Sequence, residues 1–352
     1  MPNGEVGLPT SLEYLEIKDC EKMENLPPRL HNLTSLRKLV ITHCQGLVSL
    51  SQMTLPATLK FLKIGNCTNL KFLPEEMMSS NTSLEKLMIG GCPSLTSFPR
   101  ILGLSTTTTI KLMELHILDC QNLEPLPENL RLLTSLQLLR ISGCPRLVSF
   151  PEGWFPITHL RVVSIRGCKN LNRLPNQLHS LTSIQKLEIK NCPNLVSFPE
   201  RGLPTNCKSL RIMDCEKLEP LTSMALQRLT SLRDFTVGGF SGPISFPKWM
   251  LPTTLTSLYI KRLLNLEALS DGLHNLTSIQ RLTISECPKL ASLPEDGLPT
   301  TLRSICIWKC PLLSKRCQKE TGEDWPKIAH IPCIGLDDGG IYSREVQMQH
   351  HF

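Results

Sequence analysis

Residues Leu84 to Pro99 read LEKLMIGGCPSLTSFP, and the same spacing of apolar residues returns from Leu136 to Pro151 and from Ile184 to Pro199. In each stretch two apolar residues stand two apart: Leu87 and Ile89, Leu139 and Ile141, Leu187 and Ile189. On an extended strand such a pair points to one side while its neighbours point to the other, so one face is buried and the other is wet. Leu84, Cys92, Leu95 and Phe98 complete the template L-x-x-L-x-I-x-x-C-x-x-L-x-x-L/F-P. Thirteen copies follow one another, beginning at Leu12, Leu36, Leu59, Leu84, Leu112, Leu136, Leu160, Ile184, Cys207, Leu232, Leu255, Ile279 and Leu302, a mean period of about 24 residues.

That period lies in the range of leucine-rich repeats, about 20–29 residues. The Pro that ends most units cannot pair in a strand and turns the chain back along the outer side. The expected fold is an α/β repeat solenoid, a leucine-rich-repeat horseshoe with one short parallel strand per repeat on the concave face and a mostly irregular convex side. A lone repeat has about six inward apolar side chains and no layer to cover them; stacking supplies it. At ~1.5–3 kcal/mol for each buried Leu or Ile, a rung gains on the order of 10 kcal/mol before chain entropy is subtracted. The organisation read from the pattern is a short lead over 1–11, repeats over 12–313, and a cap segment with a flexible tail over 314–352. No capping element precedes the first repeat in this reading.

A doubled period runs beneath the single one. Even-numbered repeats are entered through L-T-S-L or L-T-S-I, as at Leu33 to Leu36 and Leu276 to Ile279, and several odd ones through L-P-x-T/S-L, as at Leu8 to Leu12 and Leu298 to Leu302. Duplication of a block of about 48 residues accounts for both. Two departures stand out. Phe240 and Leu263 replace Cys in the tenth and eleventh repeats, with Gly238, Gly239, Gly242 and Pro243 close by, and a local change of curvature is expected there. The spacing from Leu84 to Leu112 is long, and Ser105 to Thr109 are expected to bulge as a polar loop.

The 352 residues are 41% hydrophobic and 20% charged, which excludes extended disorder, and only 5% aromatic, which suits thin aliphatic layers. No apolar run is long enough to span a bilayer, and the first residues carry no secretory signal pattern. Eleven of the 15 cysteines (Cys20, Cys44, Cys67, Cys92, Cys120, Cys144, Cys168, Cys192, Cys215, Cys287 and Cys310) occupy one repeat position just after the strand. There a small side chain with a weak S–H donor can fill a slot facing turn backbone groups. Rungs ~4.8 Å apart hold neighbouring Cβ atoms further apart than the ~3.8 Å of a disulfide, so a column of free thiols is expected, and with it a reducing, cytoplasmic setting. Cys306, Cys310, Cys317, His330 and Cys333 do not match a compact zinc knuckle.

Catalytic motifs are missing: there is no phosphate loop, no H-E-x-x-H, no G-x-S-x-G and no dinucleotide fingerprint. The chain is read as a binding surface, not an enzyme, with no cofactor and no metal. Its charge of +7 is too mild and too evenly spread for a nucleic-acid binder. Among the outward strand positions, Lys18, Lys38, Lys63, Lys86, Arg140, Arg166, Lys186, Lys190, Arg211, Lys261 and Arg281 are basic, against Glu16, Glu114, Glu188 and Asp234. An acidic protein would be drawn to such a face. Tyr14, Phe61, Tyr259 and Trp308 add large side chains suited to interface anchors. The candidate partner-binding residues are Lys38, Lys63, Lys86, His116, Arg140, Arg166, Lys186, Lys190, Arg211, Tyr259, Lys261, Arg281 and Trp308. Trp154 and Trp249 are assigned to the return segments.

The repeat template resembles the C-terminal repeats of plant intracellular nucleotide-binding, leucine-rich-repeat disease-resistance receptors of the coiled-coil class. The stretch Gly322-Glu323-Asp324-Trp325-Pro326-Lys327-Ile328-Ala329-His330-Ile331-Pro332 looks like the closing segment of that family. The resemblance implies a protein-recognition module of innate immunity that binds a pathogen effector or a host protein. It also implies restraint of an adjoining nucleotide-binding domain, in cis or in trans, until that ligand arrives. This sequence shows no phosphate loop and no coiled-coil segment before its first repeat. Two other readings are a substrate adaptor of a ubiquitin ligase, which needs an N-terminal ligase-binding helical domain, and a secreted repeat receptor, which needs a signal peptide and cysteine-paired caps.

Overall fold

The computed structural model describes residues 8–27, 29–51, 53–74, 77, 83–99, 110–124, 126, 130–151, 159–218, 226–240, 251–269, 272–337 and 340–343. Ser105 to Thr109, Trp154, Trp249, Gly242 and Pro243 lie outside these residues. The chain divides into two compact units, Met1–Ile184 and Gln185–Phe352.

In the first unit seven five-residue strands follow one another: β1 Tyr14–Lys18, β2 Lys38–Thr42, β3 Phe61–Gly65, β4 Lys86–Gly90, β5 Glu114–Leu118, β6 Leu138–Ser142 and β7 Val162–Arg166. Each pairs in parallel with the next, position for position. The second unit continues the plan with β8 Lys186–Lys190, β9 Ser209–Met213, β10 Asp234–Gly238, β11 Ser257–Lys261, β12 Arg281–Ser285 and β13 Ser304–Trp308. Every one of the thirteen repeats therefore gives one strand, as the two-residue spacing of Leu and Ile dictates.

From β2 onward the two inward side chains of each strand are at most 2% exposed, whether they are Leu and Ile or the Phe235 and Val237 of β10. Leu15 and Ile17 of β1 are half-buried instead, because among the described residues β1 pairs with β2 alone. The Cys column lies directly behind the strands. The thiol of Cys44 donates to the carbonyl of Thr42, and those of Cys67, Cys120, Cys215 and Cys287 make the same bond to the last residue of their own strands. All fifteen cysteines are free thiols. Phe240 and Leu263 fill the slot in the tenth and eleventh repeats and are buried like the thiols they replace.

The doubled period has a structural counterpart on the return side. Short 3-10 turns at Leu30–Asn32, Leu130–Leu132, Asn176–Ser180, Leu226–Arg228 and Leu273–Asn275 each lead into an L-T-S motif. Several odd-numbered repeats use a proline turn: Leu12, Leu59, Leu255 and Leu302 each donate their N–H to the carbonyl of the Pro three residues earlier. Both devices deliver an apolar side chain to the same core position, so the two kinds of repeat stack on one another within each unit.

Beyond β13 the chain departs from the repeat. Helix α1, Pro311–Arg316, starts directly after Cys310, inside the last repeat, with Pro at its first position where a missing N–H costs nothing. Helix α2 spans Trp325–Ile328. A strand β14, Cys333–Leu336, then pairs in parallel with β13, and β15, Gly340–Ser343, folds back antiparallel on β14. These two strands follow no repeat template and were not expected from the sequence. Asp324 is fully buried here and fastens the segment to the preceding rung: its Oδ2 accepts the Leu293 N–H at 2.9 Å, and its Oδ1 lies 3.0 Å from Lys327 Nζ.

Candidate protein-binding surface

The side chains at the first, third and fifth positions of each strand form the outer face of the strand layer. The residue after the strand decides how that face ends. It is left-handed in every repeat: Asp19, His43, Asn66, Gly91, Asp119, Gly143, Gly167, Asn191, Asp214, Gly239, Arg262, Glu286 and Lys309 all have positive φ. Gly, Asn and Asp tolerate this conformation best, and they hold nine of the thirteen positions. The sequence carries this signal as Gly, Asn or Asp before most of the column cysteines, a weaker pattern than the apolar template.

In the first unit the first strand position runs Tyr14, Lys38, Phe61, Lys86, Glu114. The Lys38 ammonium stands between two rings, 4.8 Å from the centre of Tyr14 and 5.4 Å from that of Phe61. Lys86 lies 6.0 Å from Phe61 on one side and makes a 2.6 Å ion pair with Glu114 on the other. Rungs one strand spacing apart bring such groups within reach of one another, so much of the charge is settled laterally. Lys63, at the centre of β3, is exposed and has no carboxylate partner among the described residues.

Three candidates of the first unit sit lower than expected. His116 is on the outer face but only 5% exposed, and Arg140 is half-buried, as is Arg166. Its register partners Met88 and Arg140, with Lys86 and Glu114 close by, flank the imidazole. Burial and the positive charges of Lys86 and Arg140 hold its pKa below the usual histidine value. Glu114 is held below the usual carboxylate range, chiefly by its bond from Lys86.

In the second unit Lys186 and Lys190 are exposed at the ends of β8 and have no carboxylate partner among the described residues, while Glu188 between them is 2% exposed. Arg211 stands 3.8 Å from Glu188, Lys261 3.2 Å from Glu286, and Arg281 3.7 Å from Asp234. Arg262 reaches across Gly239 to Asp214, two rungs away. A side chain on Gly239 would put its Cβ 2.0 Å from Asp214 Oδ1, so the bridge depends on that glycine. Tyr259 is half-buried, and Trp308 is 50% exposed at the last repeat strand.

The structure thus sorts the thirteen candidates. All lie on the outer face; Lys86, Arg211, Lys261 and Arg281 are paired with acids, and Lys38, Lys63, Lys186 and Lys190 present ammonium groups without one. Sequence reasoning counted charges one strand at a time and had no access to this pairing. Among the described residues no cluster of three His, Cys, Asp or Glu side chains could hold a metal ion, and no helix is long and apolar enough to cross a membrane.

No family model matches the chain. It is 30% identical over 149 residues to Protein SUPPRESSOR OF npr1-1, CONSTITUTIVE 1 of Arabidopsis thaliana, a match covering 40% of this chain and 9% of that protein. It is 28% identical over 147 residues to Disease resistance protein RPS4B of the same plant, covering 40% of this chain and 11% of that protein. The chain therefore spans about a tenth of the length of these curated relatives. Among solved structures, an internalin (inlF) of Listeria monocytogenes superposes with a TM-score of 0.51 at 18% identity, over 85% of this chain and 82% of that one. At that identity the likeness concerns the fold alone.

Proposed function

We propose that this chain, a leucine-rich-repeat region of the plant disease-resistance type, is a protein-recognition module of innate immunity that binds a pathogen effector or a host protein through the outer face of its strands. The observation that carries the reading is the set of exposed ammonium groups, Lys38, Lys63, Lys186 and Lys190, that no carboxylate of the described residues neutralises. Within each unit, cations without a carboxylate partner attract an acidic surface, speed its encounter and lose strength with salt. Tyr14 and Trp308, about half exposed, supply apolar area of the kind that anchors interfaces. In a full receptor the same array restrains a nucleotide-binding domain, in cis or in trans, and the column of free thiols suits a reducing cytoplasm.

The test is a comparison of the intact chain with the triple variant Lys63→Glu, Lys186→Glu and Lys190→Glu. All three side chains are exposed, so the thermal melting of the variant should match that of the parent. Binding to effectors and to a receptor nucleotide-binding domain is measured at 50 and 300 mM salt. The parent should bind at least one of these proteins, weaken with salt, and lose that binding in the variant. Equal binding by parent and variant at both salt concentrations refutes the reading.

A further inference from the structure

Among the buried side-chain nitrogens without a hydrogen-bond partner, two stand on adjacent strands of the first unit: Nδ1 of His116 on β5 and Nε of Arg140 on β6. The two residues are direct register partners, so their side chains leave neighbouring strands side by side, ~4.8 Å apart, in the same direction. Buried polar atoms are nearly always satisfied in folded proteins, and an unsatisfied pair on adjacent rungs invites a ligand.

The chemistry of the pair follows from its neighbours. Glu114 is kept ionised by Lys86, 2.6 Å away, so its carboxylate only accepts hydrogen bonds. Its Oε2 lies 3.2 Å from His116 Nε2, which assigns the ring proton to Nε2. Burial among Lys86 and Arg140 keeps the ring neutral, leaving Nδ1 with a bare lone pair. Arg140 Nε can only donate. One rung thus offers an acceptor and the next a donor.

We propose that His116 and Arg140 form a recognition point for a side-chain carboxamide, an Asn or Gln of the bound protein, whose NH2 donates to His116 Nδ1 while its carbonyl accepts from Arg140 Nε. The proposal rests on the protein-binding reading above and adds a specificity element at the centre of the first unit. A carboxylate would set its oxygen against the histidine lone pair, an ammonium has nothing for Arg140 to donate to, and an apolar group satisfies neither atom. Access requires the covering side chains to move. Met88 on β4 and Arg140 itself are half-buried, long and unbranched, and can change rotamer.

The experiment uses the full chain with 15N-labelled histidine and follows the His116 imidazole nitrogens by long-range proton–nitrogen correlation. The probes are N-acetyl-asparagine methylamide, its aspartate counterpart and its serine counterpart. The asparagine probe should move the Nδ1 resonance saturably, and Arg140→Met should weaken that titration about tenfold, the equivalent of ~1.4 kcal/mol. No shift with the asparagine probe, equal shifts with the aspartate or serine probe, or an unchanged titration in Arg140→Met each overturn the proposal. The lysine triple variant should titrate as the parent does. Salt-dependent protein binding without the Nδ1 shift sinks only the carboxamide point, and the shift without protein binding sinks only the wider surface reading.

Discussion

Replacing Asp324 by Ala should loosen the end of the second unit before anything else in that unit unfolds. The carboxylate is fully buried and accepts bonds from Leu293 N–H at 2.9 Å, Arg316 Nε at 3.2 Å and Lys327 Nζ at 3.0 Å. Without it the Leu293 amide loses its acceptor in a buried site, worth about 2 kcal/mol. The ion pair with Lys327, whose side chain is partly exposed, adds about 1 kcal/mol after solvent screening. The expected loss is therefore ~3 kcal/mol, concentrated in residues 311–337. Asp324→Asn keeps an acceptor for Leu293 and should lose about half as much. Hydrogen exchange in urea reads this directly, because β13 and β14 should lose protection at a lower urea concentration than β10 to β12. Acid gives an independent handle. Burial raises the Asp324 pKa, but the bonds from Arg316, Leu293 and Lys327 outweigh it and leave the group below the usual carboxylate value. Its contribution is then complete above the ordinary carboxylate pKa and is lost as pH falls through the lower folded value. Identical exchange of residues 311–337 in parent and Asp324→Ala, at neutral pH and in acid, would refute the role given to this carboxylate.

The core and the thiols supply further predictions. Leu139→Asp or Ile189→Asp places a charge at a position no more than 1% exposed and should unfold the neighbouring rungs, costing more than about 4 kcal/mol; an unchanged melting profile in either variant contradicts the stacking scheme. Burial pushes the thiols of Cys67 and Cys215 up to about 12 and that of Cys144 to about 11. At pH 8 the native chain should be alkylated at the half-buried Cys20, Cys306 and Cys333, with the column reacting only after denaturation, as mass mapping of labelled peptides would show. Because these folded pKa values lie above the free thiol's, the stability they carry is whole below pH 9 and drains away between pH 9 and about 12. A melting temperature that holds level across that window contradicts the burial of the column.

The repeat and the strand layer were open to sequence reasoning because each needs only local facts. Leu87 and Ile89 lie two apart, a Pro ends the unit, and the pattern recurs thirteen times, so stacking is the way left to bury the aliphatic face. The two entry motifs also coincide with different turns, 3-10 before the L-T-S entries and proline turns at Leu12, Leu59, Leu255 and Leu302. What sequence could not supply was anything that passes between rungs. Lys86 and Lys63 look alike in the chain, yet one meets Glu114 and the other meets no carboxylate among the described residues. His116 reads as one more outward polar residue, but neighbours from adjacent strands bury it beside Arg140. Strands β14 and β15 carry no template; β14 pairs on the edge that β13 offers, and β15 on the edge of β14. Periodicity along the chain sets which face is buried; only the lateral stacking of rungs residues apart by a whole period decides which charges on the other face remain free to bind.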